Sequence, residues 1–236
     1  MNIKINQQLK GIDEIRGTAV IIDVFRAFSV ESYLFGNNIS TLYAVGNKDL
    51  AYNYRRSHPG ALLIGEREGA MLPGFDFGNS PSQVEDKDFS GKTAIHTTSA
   101  GTQGISGAVN AAEILGASLV NAAATAKYIL NSGTDDVTIV CMGLGAKVPT
   151  EEDTLCGEYI RAMLLGRAET DSFCRLLPER IERLKKTDGA KFFDPRNAGV
   201  FPRRDFYLST EIDRFGFAIT AKPCGDGFYL MNRVDM

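Results

Sequence analysis

The 236-residue chain has no tryptophan and only two histidines, His58 and His96. Neither histidine belongs to a metal-binding spacing, and no Arg-His-Gly segment is present, which excludes a histidine-phosphatase site. The four cysteines, Cys141, Cys156, Cys174 and Cys224, are far apart and form no Cys-x-x-Cys pair. Reduced, buried thiols are therefore expected rather than a disulfide framework. Cys156 and Arg161 are separated by four residues in a helical pattern, whereas a cysteine-phosphatase cradle needs five. An excess of positive charge is also missing: 26 basic against 29 acidic residues leave a formal charge of −3. Without a basic face, nucleic acid is not an expected partner, although a local basic pocket for a small anion is not excluded. No apolar run approaches membrane-spanning length, and the opening MNIKINQQLKGIDEIRG has no signal-peptide core. A cytoplasmic protein with no membrane partner is the expectation.

Two nucleotide-binding signatures are missing as well. No strand pattern is followed by Gly-x-Gly-x-x-Gly, and GLGAK (143–147) lacks the spacing and Lys-Ser/Thr ending of a phosphate loop. A haloacid-dehalogenase-type site would require a second Asp two residues after Asp23, where Phe25 stands.

What is present is an alternation of short β-branched runs and helical patterns. TAVIIDVF (18–25), STLYAV (40–45), ALLIGE (61–66), KTAIHTT (92–98), EILGASLV (113–120) and VTIVCMG (137–143) read as strands. Segments 29–38, 48–57, 102–110 and 123–131 read as the helices between them, and 151–166 and 171–186 as further helices. FGFAIT and GFYLMN, separated by AKPCGD (221–226), read as a β-hairpin whose edge could serve self-association into a homo-oligomer. The expected fold class is α/β, a mainly parallel β-sheet flanked by helices with a C-terminal β-hairpin. Residues 1–150 would carry most of the site and 151–236 would pack on them.

In a parallel sheet the strands end on one rim, where ligands bind. Asp23 and Arg26, Glu66 and Arg67, Thr97 to Thr102, and Glu151 to Asp153 all fall at or just after predicted strand ends. Asp23 is open to three readings: metal ligand, nucleophile or helix cap. Arg26 is suited to grip a phosphate or carboxylate with its forked guanidinium, or to neutralise Asp23. The pair Glu152–Asp153 opens a helix, where acids also suit the macrodipole. The hydroxyl-rich TTSAGT (97–102) suits phosphate binding through backbone N–H groups and side-chain hydroxyls, or helix capping. The loop at 67–81 is long enough to suggest a functional role.

DVFRAFS (23–29), GEREG (65–69), GFDFGNSP (74–81), TTSAGT (97–102) and EDTLCG (152–157) resemble, in order, the signature segments of the 2-phosphosulfolactate phosphatase (ComB) family. The resemblance covers roughly residues 18 to 165. One departure is Ala100, where the family usually has Asn, which removes an amide from the loop. The resemblance implies a Mg²⁺-dependent acid phosphatase that removes phosphate from 2-phospho-3-sulfolactate on the route to coenzyme M. The partner would then be a small anionic phosphorylated substrate. Asp23, Glu66 and Asp153, with Asp76 and Glu152 as substitutes, would supply hard oxygen ligands to Mg²⁺. Arg26 and Arg67 would grip anions and, with Asp23, act in catalysis. Asn79, Ser80, Thr97, Thr98, Ser99, Gly101 and Thr102 would hold the phosphate. Either water or the Asp23 carboxylate would attack phosphorus. The same residues also admit a phosphatase for another phosphorylated 2-hydroxy acid, or a non-catalytic module that binds anionic metabolites.

Overall fold

The computed structural model describes residues 1–168 and 172–236. Asp171, with which the last predicted helical stretch begins, lies outside them. The strands are β1 (Asn2–Gln7), β2 (Thr18–Ile22), β3 (Thr41–Val45), β4 (Leu62–Arg67), β5 (Ala70–Met71), β6 (Thr93–Thr97), β7 (Glu113–Ala117), β8 (Asp136–Cys141), β9 (Phe217–Pro223) and β10 (Phe228–Asp235). The helices are α1 (Ala27–Gly36), α2 (Lys48–Ser57), α3 (Gly101–Gly107), α4 (Ala122–Ser132), α5 (Glu151–Leu164), α6 (Ser172–Arg175), α7 (Leu177–Leu184) and α8 (Arg203–Ser209). The predicted α/β class is the observed one.

All ten strands join one sheet in the order β1-β8-β2-β7-β9-β10-β3-β6-β4-β5. Two parallel groups, β1-β8-β2-β7 and β3-β6-β4, are separated by the antiparallel hairpin β9–β10. The hairpin pairs antiparallel with β7 on one side and β3 on the other. It is therefore no free edge, and the expected self-association surface does not exist there. Met231, opposite Leu42, and Ile219, opposite Gly116, lie in the middle of the sheet and are buried.

Because two antiparallel steps and the hairpin turn lie between them, β7 and β3 run in opposite ladder directions. The expected single rim is thus replaced by two. They still meet, because strands twist by roughly 20–25° each and five steps separate β2 from β6. One face of each group joins a common core: Ala19, Ile21 and Val140 from the first group, Leu42, Ile64 and Ala94 from the second. Phe28 and Leu34 of α1 and Ile105 of α3 fill the space between them. The opposite faces are covered separately. Val20, Ile22, Leu115 and Ile139 pack on α4, α5 and α7, while Val45, Leu63 and Ile95 pack with Ala51 of α2.

Several boundaries differ from the sequence reading for local reasons. The strand predicted over 18–25 ends at Ile22, because the next side chain, Asp23, turns to accept the N–H of Ala27 at 3.1 Å. β1 was not expected. It alternates buried-side Ile3 and Ile5 with polar residues and pairs with β8 from the sheet edge. Among the described residues none of the four cysteines forms a disulfide: Cys141 and Cys156 are buried as expected, whereas Cys224 is exposed. Among the described residues no helix is long and apolar enough to cross a membrane.

The central hairpin generates a direct test. A chain ending at Gly216 would leave β7 and β3 with unpaired apolar edges. It is expected to be recovered as aggregate. A soluble monomer with cooperative urea unfolding would contradict the central position of the hairpin.

Candidate active site

Three buried acids, Asp23 after β2, Glu66 near the end of β4 and Asp153 in the first turn of α5, are each held by two backbone N–H groups from separate stretches of chain. Asp23 Oδ1 accepts from Ala27 (3.1 Å) and Oδ2 from Gly101 (2.8 Å). Glu66 Oε1 accepts from Ser99 and Oε2 from Gly69, both at 2.6 Å. Asp153 Oδ1 accepts from Val24 (2.8 Å) and Oδ2 from Gly143 (2.7 Å). These bonds tie the ends of β8, β2, β6 and β4 into one rim. Gly101 is required for the approach, since a Cβ there would stand 3.0 Å from Asp23 Oδ2 and 2.7 Å from Ala27 Cβ. Burial pushes the Asp23 carboxyl above its ordinary range, with Glu66 adding to the rise, and the two backbone donors restrain it. Asp153 is pushed well up by burial and by the charges of Glu152 and Asp23.

A cleft of about 1010 Å³ opens on this rim, lined by Asp23, Glu66, Arg67 and Asn79 among others. Arg67 is half-buried, and burial lowers its pKa. Among the described residues its guanidinium donates to neutral oxygens: Glu66 O at 2.6 Å, Gly46 O at 3.1 Å and Thr97 Oγ1 at 2.9 Å. Glu66 acts on this charge through space, and among the described residues no carboxylate forms an ion pair with it. Arg26 also reaches the cleft, but it forms a buried ion pair with Asp205 at 2.6 Å and donates to Val200 O at 2.9 Å. Asp205 in turn accepts from Ser80 Oγ and Ser82 N, both at 2.9 Å. The immediate partner of Arg26 is therefore the C-terminal segment, and Ser80 serves the same latch rather than the cleft.

The hydroxyl loop is largely spent on itself. Thr98 N donates to Thr102 Oγ1 at 2.8 Å and Thr102 N to Thr98 Oγ1 at 3.2 Å, a closed pair buried away from the cleft. Thr97 Oγ1 holds Arg67, and Ser99 Oγ donates to Glu66 Oε2 at 3.1 Å. The backbone donors of Ser99 and Gly101 are taken by Glu66 and Asp23. The loop thus positions acids and Arg67, instead of presenting the array of free donors that its composition suggested.

Two predicted ligands stand elsewhere. Asp76 accepts from Leu63 N at 2.8 Å and pairs with Arg55 of α2, because its turn folds back onto β4. Glu152 is buried beside Lys191 and Asp188, off the cleft. Among the described residues no group of three or more His, Cys, Asp or Glu side chains is arranged to hold a metal ion. His96, which belongs to no metal-binding spacing, is buried with Nδ1 2.9 Å from Glu31 Oε1 and Nε2 3.3 Å from Asn79 Oδ1. It fixes the amide of a cleft residue from behind.

Residues 3–193 match the sequence model described as 2-phosphosulpholactate phosphatase. The chain belongs to that family. A protein of Bacillus subtilis (strain 168) named "Probable 2-phosphosulfolactate phosphatase" is 30% identical over 209 residues, 88% of each chain. Proteins with the same name from Deinococcus radiodurans and Caldicellulosiruptor saccharolyticus are 33% and 37% identical over 162 and 145 residues, or 67% and 60% of each chain. The family match takes in all three acids and Arg67. It stops short of Phe201 and Asp205, so the latch on Arg26 lies beyond it.

Sequence reasoning missed Asp205, Lys147 and Lys191. Asp205 sits in the first turn of α8, a seven-residue helix whose pattern is too short to read. Lys147 lay in the discounted GLGAK segment, and both lysines line the cleft. No spacing rule marks an isolated lysine.

Glu152 yields a test of this electrostatic picture. Its Oε2 has no hydrogen-bond partner among the described residues. Burial pushes the carboxyl from its ordinary 4.5 up to about 7, with Lys191 acting against the rise. Unfolding releases the proton at the lower pH, so stability falls as pH rises between these values. At ~1.4 kcal/mol per pH unit the full loss is about 3 kcal/mol. Glu152→Gln is expected to gain on the wild type by this amount between pH 4 and pH 8 in urea denaturation. Parallel pH curves for the two proteins would refute it.

Proposed function

We propose that this protein is a Mg²⁺-dependent phosphomonoesterase that hydrolyses 2-phospho-3-sulfolactate to sulfolactate and phosphate. One observation carries the reading: two buried carboxylates, Asp23 and Glu66, face the same cleft as Arg67, whose guanidinium donates to no carboxylate among the described residues. The names of the relatives supply the substrate, and the cleft supplies groups for its chemistry.

Mg²⁺ is bound through hard oxygens, often one or two carboxylates with the remainder from water and substrate phosphate. Asp23 and Glu66 fit that donor set. Each of their oxygens accepts from only one or two donors, and a carboxylate offers about four acceptor sites. Asp153 lies behind Asp23, fixing the backbone of Val24 and Gly143. When bound, the ion would supply positive charge against the phosphoryl oxygens.

The protein's own groups do the rest. Arg67, fixed by Thr97 and Gly46, binds phosphoryl oxygens in a preset orientation. Phosphoryl transfer depends mainly on such positioning and on charge stabilisation. Both oxygens of Asp23 are already engaged by backbone N–H groups, so we take water as the attacking group.

Asp23→Asn and Arg67→Met are each expected to lower kcat/KM for 2-phosphosulfolactate by about a hundredfold or more, with circular dichroism unchanged. EDTA should abolish phosphate release and added Mg²⁺ restore it. Normal release by Asp23→Asn, or full activity in EDTA, would sink the proposal. Rapid acid quench with ³²P-labelled substrate should find no labelled protein.

A further inference from the structure

The cleft contains a cation that phosphoryl binding does not employ. Lys191, on the short turn Ala190–Phe192, is half-buried, and its Nζ lies 5.6, 5.5 and 5.3 Å from the ring centres of Phe25, Phe192 and Phe201. Cation–π contact with three faces restricts where the ammonium can sit. Arg26 lies over two of the same rings, 4.9 Å from Phe201 and 5.9 Å from Phe192, yet is neutralised by Asp205. Lys191 has no carboxylate within ion-pair distance among the described residues. The buried Glu152 acts on it through space without forming an ion pair.

A substrate with one anion is satisfied by Arg67. A second charged group needs a second pole, and an aromatic-backed ammonium on the wall of the same cleft provides one. We propose that Lys191 is the specificity-determining residue that binds the second, non-reacting anionic group of the substrate, an oxyanion of the sulfonate or carboxylate kind. This rests on the phosphatase reading. It adds that discrimination is seated at Lys191, on the aromatic wall of the cleft.

The test compares wild type, Lys191→Met and Lys191→Arg on 2-phosphosulfolactate, 2-phospholactate and phenyl phosphate. In Lys191→Met, kcat/KM for 2-phosphosulfolactate relative to phenyl phosphate should fall at least tenfold, through KM, and Lys191→Arg should recover most of it. If 2-phospholactate falls equally, the bound group is the carboxylate; if it does not, the group is the sulfonate. An unchanged ratio overturns the proposal. Calorimetric titration with sulfolactate, which carries both anions and no phosphate, reads the same contact without turnover. Binding at least tenfold weaker in Lys191→Met supports Lys191 even if the wild type releases no phosphate, whereas equal binding refutes it.

Discussion

Six backbone N–H groups on three buried carboxylates hold the candidate site together. A carboxylate taken out of water is costly unless its oxygens are satisfied. Here the donors come from the turns that follow β2, β4, β6 and β8, so satisfying the charge also fixes those turns against one another. Asp153 joins the β8 turn to the β2 turn, Asp23 joins the latter to α3, and Glu66 joins the β6 turn to the β4 turn. Fold and site share one set of bonds.

The cations divide along the same lines. Arg26 is part of the structure: its buried pair with Asp205 closes the C-terminal segment over the rim, and removing one partner of such a pair typically costs about 3–5 kcal/mol. Arg67 is held by neutral oxygens and, among the described residues, forms no ion pair. Proximity in sequence to a strand end did not separate these two roles; the identity of the partner did.

The elements were legible where apolar periodicity was strong. β2, β3, β4, β6 and β8 lie within a few residues of their sequence readings, and α2 spans 48–57 as read. The hairpin was legible too, but its place was not, because periodicity says which residues face a core and nothing about which strand lies alongside. The TTSAGT segment shows a second limit. Its composition counts hydroxyls correctly, yet Thr98 and Thr102 satisfy each other, and only coordinates show a hydroxyl already spent. Asp76 fails for a related reason: a carboxylate in a turn finds the nearest backbone N–H, here Leu63, before it finds a site.

The placement of β9 and β10 bears on how the protein is made. β7 ends at Ala117 and its neighbour β9 begins at Phe217, about a hundred residues later. A ribosome adding roughly 5–20 residues per second needs about 5–20 s to span that interval. Until β9 and β10 arrive, β7 and β3 each present an edge without its final partner. Unpaired strand edges are the kind at which neighbouring chains mispair, so strand order alone makes the last segment the one that closes the sheet.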